Sequence, residues 1–373
     1  MEGFNPEVLK NFRIDLDLTK TIVVEQIISG HINLTYSVAG ATADGQPSQY
    51  IFQRINHNIF KDPCALMDNI CLVTEHIRNA DPDGGSRSSL TVIMTNEGKN
   101  VWISGDGYYW RCYVYLYNSM NLDGAGVGQE TFVKAGRALC DFQKSLMDFD
   151  ASKLTEVLPN FHNTVKRYEN FLLAVENNTS GRLTNALPEV EYAMSLKPIT
   201  GTITERLADG RLPLRVTHND TKLSNIMIDK DTREVLCFID LDTVMPGSAL
   251  YDFGDALRAG GSSALEDEED LTKVYFREDN FDSFLKGFMG GADYLTAEEI
   301  SLLPESVILM TYECGIRFLS DYLDGDVYFS VHKPDHNLIR ARNQLHLVKD
   351  MLSKVDRLHE IVAQNTPEFG RGN

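Results

Sequence analysis

Val216-Thr217-His218-Asn219-Asp220-Thr221-Lys222-Leu223-Ser224-Asn225 sets an aspartate five residues before an asparagine, and fifteen residues after that asparagine stands Asp240, in Ile239-Asp240-Leu241-Asp242. Between them, Asn225-Ile226-Met227-Ile228 and Val235-Leu236-Cys237-Phe238-Ile239 flank the polar turn Asp229 to Glu234, which predicts a hairpin. Loop, strand, turn, strand and terminal aspartate in this order suit phosphoryl transfer. That chemistry asks a protein mainly to position reactants and neutralise charge: one carboxylate orients an acceptor hydroxyl, while an asparagine and a second aspartate hold Mg²⁺ on the phosphates. A lone Asp-x-x-x-x-Asn arises by chance in a chain with 54 acidic residues, whereas the ordered set carries information. Arg233 and Glu234 stand where a Ca²⁺ loop would need a ligand and a glycine, so the turn is not of EF-hand type.

Upstream of this stretch the first third reads as strands: Thr21 to Val24, Thr35 to Val38, Tyr50 to Arg54, Leu90 to Met94 and Trp110 to Leu116, with one helix over Asp62 to Arg78. After the Gly- and Asn-rich break Asn118 to Gly128 the pattern turns helical, over Glu130 to Met147, His162 to Glu176, Phe281 to Met289, Glu305 to Leu323 and Arg340 to Val362. The expectation is an α+β, bilobal chain, with a β-rich nucleotide-binding lobe over 1–118 and a mainly helical catalytic and substrate-binding lobe over 119–373.

His218-Asn219-Asp220 through Asn225, Ile239-Asp240-Leu241-Asp242-Thr243-Val244-Met245-Pro246-Gly247 and Tyr251-Asp252-Phe253-Gly254-Asp255 together resemble the catalytic loop, metal motif and following segment of the aminoglycoside phosphotransferase-like kinases. Their extended form is most similar to N-acetylhexosamine 1-kinases, and the resemblance covers nearly the whole chain. It implies a protein-kinase-like fold and transfer of the ATP γ-phosphoryl group to the anomeric hydroxyl of N-acetylglucosamine or N-acetylgalactosamine, with Mg²⁺ as cofactor. Carried over by position, Asp220 would be the catalytic base, Asn225 and Asp240 the Mg²⁺ ligands, and Asp242 a supporting or second carboxylate. Asp252 and Asp255 would brace the site; as plain sequence they also read as acids at a helix N-terminus.

On the nucleotide side, the resemblance puts the phosphate cation at Arg54, which ends the apolar run Tyr50-Ile51-Phe52-Gln53, with Glu75 on the next helix as its ion-pair partner. Arginine keeps the charge and binds phosphate oxygens bidentately. Ser29-Gly30-His31-Ile32-Asn33-Leu34-Thr35 would cover the phosphates, with Gly30, Asn33 and Thr35 at the nucleotide, and adenine would sit near Tyr115 to Asn118. No G-x-x-x-x-G-K-[ST] and no G-x-G-x-x-G at a strand-to-helix turn supports a P-loop or Rossmann site. On the acceptor side, Met310 to Leu319 and Gly325 to Phe329 resemble the segment whose arginine and tyrosine bind the sugar, which implies Arg317 and Tyr328 beside Asp220 and Asp240. Read without the resemblance, Glu313, Arg317 and Asp321 at i, i+4 and i+8 equally suit an exposed ion-pair ladder.

Bulk properties narrow the partners. Across 373 residues the formal charge is −19, which repels phosphate backbones and anionic headgroups, so neither nucleic acid nor membrane is an expected partner. Six scattered cysteines without a Cys-x-x-Cys pair read as reduced, buried thiols, and the start Met1 to Pro6 has no signal-peptide pattern; both point to the cytoplasm. A monomer binding nucleotide and a small sugar is the expectation. The acidic run Glu266 to Asp270 reads as a solvated loop. His332 and His336 are separated by Pro334 and lack further ligands, His359 lacks the second histidine of H-E-x-x-H, and no serine sits in a G-x-S-x-G turn, so zinc and hydrolase chemistry find no support. Two rivals remain: a kinase of an aminoglycoside, choline-like amine or other metabolite, and a non-catalytic kinase-like binding module.

Overall fold

The computed structural model describes residues 3–28, 32–80, 87–126 and 128–366. The chain gathers into two compact units. One comprises Met1–Met120, Ser152–Leu158 and Met227–Met245; the other comprises Asn121–Ala151, Pro159–Ile226 and Pro246–Asn373. The first crossing falls between Met120 and Asn121. The two later returns have no sequence signal, and the second carries Asp240 and Asp242 into the strand-rich unit.

In that first unit, strands β1 (Val23–Ile27), β2 (Leu34–Ala41), β3 (Pro47–Ile55), β4 (Val92–Ile93), β5 (Trp102–Ile103) and β6 (Tyr109–Val114) form one antiparallel sheet ordered β1-β2-β3-β6-β4, with β5 also paired to β6. Strand side chains alternate between faces, so Tyr36 and Val38, Tyr50 and Phe52, and Trp110 and Cys112 share one face. They pack on Val8, Leu9 and Phe12 of the N-terminal segment in a single apolar cluster. Helix α1 (Pro63–Ala80) buries Leu66, Met67, Ile70, Val73 and Ile77 at helical spacing. After β7 (Ser119–Asn121) and a short β8 (Arg215–Thr217), the predicted hairpin appears as β9 (Ile226–Asp229) and β10 (Val235–Phe238).

The second unit is helical: α2 (Gln129–Lys144), α3 (Thr164–Asn177), α4 (Leu187–Ser195), α5 (Thr204–Ala208), α6 (Ala249–Gly260), α7 (Glu278–Met289), α8 (Ala297–Ser301), α9 (Leu303–Asp324), α10 (His336–Ser353) and α11 (Val355–Asn365). At its centre α9 is buried nearly all round, through Val307, Leu309, Tyr312, Ile316, Leu319 and Tyr322, and packs against α3, α6 and α10. Close packing of α6 on α9 needs Gly254, because a Cβ there would lie 2.4 Å from the Ser306 carbonyl oxygen. The single helix expected over Arg340 to Val362 is interrupted at Lys354, whose N–H turns back to the Met351 carbonyl and whose ammonium pairs with Asp350.

Three expectations change. Cys64 is exposed and Cys71 and Cys314 are half-buried, so only Cys112, Cys140 and Cys237 are the buried thiols foreseen; all six are unbridged. The acidic run is tied down by ion pairs, with Glu266 on nearby Arg258 and, from distant sequence, Asp267 on His336 and Glu269 on Lys333. Glu313 and Asp321 do not form an exposed ladder with Arg317, because both are buried. Among the described residues no helix is long and apolar enough to cross a membrane.

Candidate active site

Asp220 lies in the loop after β8. Asn219 ahead of it takes a left-handed backbone (φ 64°), a conformation that asparagine tolerates better than most residues and that turns the chain sharply. The turn is fixed from behind by α6. Both Asp252 oxygens accept loop amides, from His218 N at 2.9 Å and Asn219 N at 2.7 Å, while Asp255 accepts Thr221 N at 3.0 Å. Asp252 is fully buried; burial pushes its carboxyl above the usual range, against the opposing pull of His218 and the two amides. Asp220 itself stays partly open, its side chain 32% exposed. Asn225 Nδ2 donates to the Asp220 carbonyl and to Oδ2, each at 2.8 Å, and Lys222 Nζ approaches the same Oδ2 at 2.7 Å. Two donors thus fix the position of Asp220 Oδ2. Lys222 was not singled out from the sequence; its only signal is a position two residues past the aspartate.

The first unit holds Asp240 and Asp242 in the turn after β10. Asp240 is exposed and left-handed (φ 61°), which reverses the chain into a short 3₁₀ turn and leaves Asp242 buried. Arg111 Nη1 sits 2.5 Å from Asp242 Oδ1, with both side chains at least 95% buried. Asn33 Nδ2 donates to Asp242 Oδ2 at 2.6 Å, while Asn33 Oδ1 accepts Asn56 N at 2.9 Å. The network runs on across the sheet: Arg111 Nε donates to Gln53 Oε1 at 2.8 Å, and Gln53 Nε2 donates to Thr35 Oγ1 at 2.9 Å. Thr35, Gln53 and Arg111 are register partners on neighbouring strands, so this row is a direct consequence of strand pairing. Desolvation alone would lower the Arg111 pKa, but Asp242 opposite raises it, and the guanidinium stays charged.

The nucleotide-side residues foreseen from the sequence are distributed over both faces of the sheet. Arg54 pairs in register with Trp110, not with Arg111, and therefore lies on the opposite face of the sheet from the Arg111–Asp242 pair. Its guanidinium stacks 4.2 Å above the Tyr108 ring. Glu75 is exposed on α1, and among the described residues it forms no ion pair with Arg54. Asn33 and Thr35, foreseen as nucleotide contacts, are bonded into the Asp242 network. Asp242, foreseen as a metal residue, is buried with Arg111 on Oδ1 and Asn33 on Oδ2. Gly30 lies outside the described residues. Tyr115 to Asn118 follow β6, with Tyr115 N on the Gln49 carbonyl and Asn118 turned left-handed (φ 51°).

On α9, Arg317 is half-buried among aromatic rings, its guanidinium carbon 5.5 Å from the centre of Phe329 and 5.9 Å from those of Tyr328 and Phe161. Among the described residues no carboxylate lies within ion-pair distance of it. One turn back, Glu313 is occupied by His162 Nδ1 at 2.8 Å and Thr164 Oγ1 at 2.6 Å. Burial would raise its carboxyl, but His162, Thr164 and Arg317 hold it below the usual range. One turn on, Asp321 accepts the backbone N–H groups of Val327 and Tyr328 at Oδ1 and of Phe329 at Oδ2, at 2.8–2.9 Å, with Asn337 Nδ2 also on Oδ2. One buried carboxylate therefore shapes the loop that presents Tyr328, whose side chain is exposed.

Residues 118–283, which contain Asp220, Asn225, Asp240 and Asp242, match the model of the phosphotransferase enzyme family, APH. Over almost the full chain the structure is similar to a microcompartment-associated aminopropanol kinase (15% identity, TM-score 0.57, covering 95% of this chain and 97% of the other). It is also similar to an aminoglycoside phosphotransferase from Alicyclobacillus acidocaldarius (12% identity, TM-score 0.58, 98% of each chain). The amicoumacin kinase hAmiN, solved with AMP-PNP, Ca²⁺ and amicoumacin, matches at 14% identity and TM-score 0.57 over 99% of this chain and 97% of the other. The fold is that of the aminoglycoside phosphotransferase-like kinases. The Asp220 loop and the Asp240 turn both fall inside the residues that match the phosphotransferase family model. Each unit contributes oxygen donors of the kind a hard cation takes: in the second, the side-chain amide oxygen of Asn225, whose nitrogen is committed to Asp220, and in the first, the exposed carboxylate of Asp240. Arg111 is the residue that sequence reading missed here. Its signal was alternation, since a charged residue inside the apolar run Trp110 to Leu116 needs a buried counter-charge.

Proposed function

We propose that this protein is a small-molecule kinase that uses ATP and Mg²⁺ to phosphorylate the anomeric C1 hydroxyl of an N-acetylhexosamine, N-acetylglucosamine or N-acetylgalactosamine, giving the 1-phosphate. The observation that carries the kinase reading is the Asp220 loop: a partly open carboxylate held by Asn225 and Lys222 and braced by Asp252 and Asp255. Asp220 orients the sugar hydroxyl and accepts its proton as the bond to phosphorus forms. Asn225 and Asp240 would hold Mg²⁺, which would supply neutralisation of the charge on the transferred phosphoryl group. Asp242 acts from behind, fixed by Arg111 and Asn33. The sugar assignment rests on the resemblance of Met310 to Leu319 and Gly325 to Phe329, and it is supported by Arg317 standing without a protein counter-ion beside Tyr328. A monomer in the cytoplasm goes with this reading, supported by six unbridged cysteines.

A second reading follows from the names of the matched structures: an amino alcohol or aminoglycoside as the acceptor. One assay separates the two. Mg·ATP is offered with a panel of N-acetylhexosamines, amino alcohols and aminoglycosides, and any product is identified by phosphorus NMR. A phosphate on C1 of an N-acetylhexosamine supports the proposal. Phosphate on C6, or reaction with amines alone, rejects it, and Mg·ATP binding without turnover on any acceptor points to a binding module.

A further inference from the structure

The charges around Arg317 run against those of the chain as a whole. The protein carries a formal charge of −19, yet three guanidiniums meet around the Phe161, Phe318, Tyr328 and Phe329 rings. Arg317 faces Phe161, Tyr328 and Phe329. Arg167 donates through Nε and Nη2 to the Phe161 carbonyl at 3.1 and 2.9 Å, and Arg340 donates to the Ser330 carbonyl at 3.1 Å while lying 5.4 Å from the Phe318 ring centre. Among the described residues none of the three has a carboxylate within ion-pair distance. The neighbouring acids are all occupied internally: Glu313 by His162 and Thr164, Asp321 by three backbone amides and Asn337, and Asp326 by Arg182 at 2.8 Å. Burial lowers the Arg167 pKa and Arg317 lowers it further, and the smaller opposing pull of Glu313 and Tyr328 does not cancel them.

We infer that this neighbourhood is a charge filter on the acceptor: it admits an uncharged or anionic hydroxyl-bearing molecule and rejects one that carries an ammonium group. The inference rests on the proposal that Arg317 and Tyr328 bind the acceptor, and it adds the chemical class that the site accepts. The global negative charge does not offset it, because exposed charges are screened beyond about 8 Å at physiological ionic strength, whereas a bound acceptor lies within reach of Arg317 itself. Nor can the site re-pair to suit a cation. Swinging Glu313 or Asp321 toward it would strip His162 and Thr164, or three backbone amides, of their buried acceptor. Arg317 is left to donate hydrogen bonds to carbonyl, hydroxyl or anionic oxygens, with the rings covering an apolar face of the ligand.

The test uses pairs of acceptors that differ in charge and little else. N-acetylglucosamine against glucosamine, and a diol against the corresponding amino alcohol, are titrated calorimetrically into the full chain loaded with AMP-PNP and Mg²⁺, and turnover is measured with ATP. The neutral member of a pair should bind at least tenfold more tightly than the ammonium member, and Arg317→Gln should shrink that ratio severalfold by improving the amine, not only by weakening the neutral ligand. Equal or tighter binding of the ammonium member by the wild type overturns the filter. Should Arg317→Gln prove unstable, Arg340→Gln reports the same ratio from the edge of the site. Preference for a neutral diol with no response to any sugar keeps the filter and rejects the N-acetylhexosamine reading. Absence of binding by every neutral acceptor rejects both.

Discussion

Arg111 and Arg317 are both arginines among aromatic neighbours, and their surroundings differ in one respect that separates structure from recognition. Arg111 is closed: its charge meets Asp242, its Nε meets Gln53, and the network ends at Thr35 and Asn56 without a charge left over. Arg317 is open, with the acids one turn before and after it turned to other partners. A buried charge that has found its partner stiffens the turn it belongs to. A half-buried charge kept from its natural partners is held at some cost in stability, and a ligand is the reason such a cost would persist.

Breaking the closed region should give the largest effect. Arg111→Met leaves Asp242 charged and unpaired in the interior, so unfolding stability should fall by about 3–5 kcal/mol, whereas Arg111→Met combined with Asp242→Leu should recover about half or more of the loss. Urea midpoints of the two variants measure this. A single variant within about 1 kcal/mol of wild type would show that the pair does not hold the turn. Next comes Asp220→Asn, expected to lower turnover by about 10²-fold or more while Mg·ATP binding and the melting temperature stay close to wild type, since only acceptor positioning and proton acceptance are removed. Normal turnover would remove Asp220 from the chemistry. Asp240→Ala tests the exposed partner of the buried Asp242: Mn²⁺ binding followed by electron paramagnetic resonance should weaken about tenfold or more, because a lost ligand costs at least what a lost supporting group does. Unchanged binding would move the cation elsewhere.

Arg317→Ala sharpens the open side. The acceptor KM should rise about tenfold, the loss of one charge-assisted hydrogen bond, while the ATP KM and the melting temperature hardly move, since no ion pair is broken. A variant with normal acceptor kinetics would take Arg317 out of the site.

The same contrast explains what the sequence disclosed. The Asp220 loop, the β9–β10 hairpin and the Asp240 turn were legible because they are local: spacing within about two dozen residues determines them. The strands of the first unit and the longer helices were legible from periodicity. The face that Arg54 takes was not legible, because ending an apolar run does not say which face a side chain takes; register with Trp110 decides that, and register comes from pairing between strands far apart in sequence. Arg111 and Asp242 went unpaired for the same reason, their partnership spanning about a third of the chain. In α9 the i, i+4, i+8 ladder assumed an exposed face. Tertiary packing buried both acids and gave them His162 and the loop after Gly325, which helical spacing could not reveal.

Asp321→Asn asks whether the open region is held open by the loop that follows α9, and it should give the smallest effect of the set. Asparagine keeps one oxygen, enough to accept Val327 and Tyr328 N–H as Asp321 Oδ1 does at 2.9 and 2.8 Å. Its NH₂ group then faces Phe329 N–H and the Asn337 amide, so two hydrogen bonds become donor-to-donor contacts. Asn337 keeps its other bond, from Nδ2 to Asp326 Oδ1 at 2.8 Å, and so retains a partner; Phe329 N–H does not. The loop should therefore loosen at Phe329 while Tyr328 stays approximately placed. Hydrogen exchange should quicken at residue 329 relative to 327 and 328, the acceptor KM should rise a few-fold, and the ATP KM should not change. If Asp321 served stability alone, exchange and melting temperature would shift with both KM values intact. Such a result would leave Arg317 as the sole link between α9 and the acceptor.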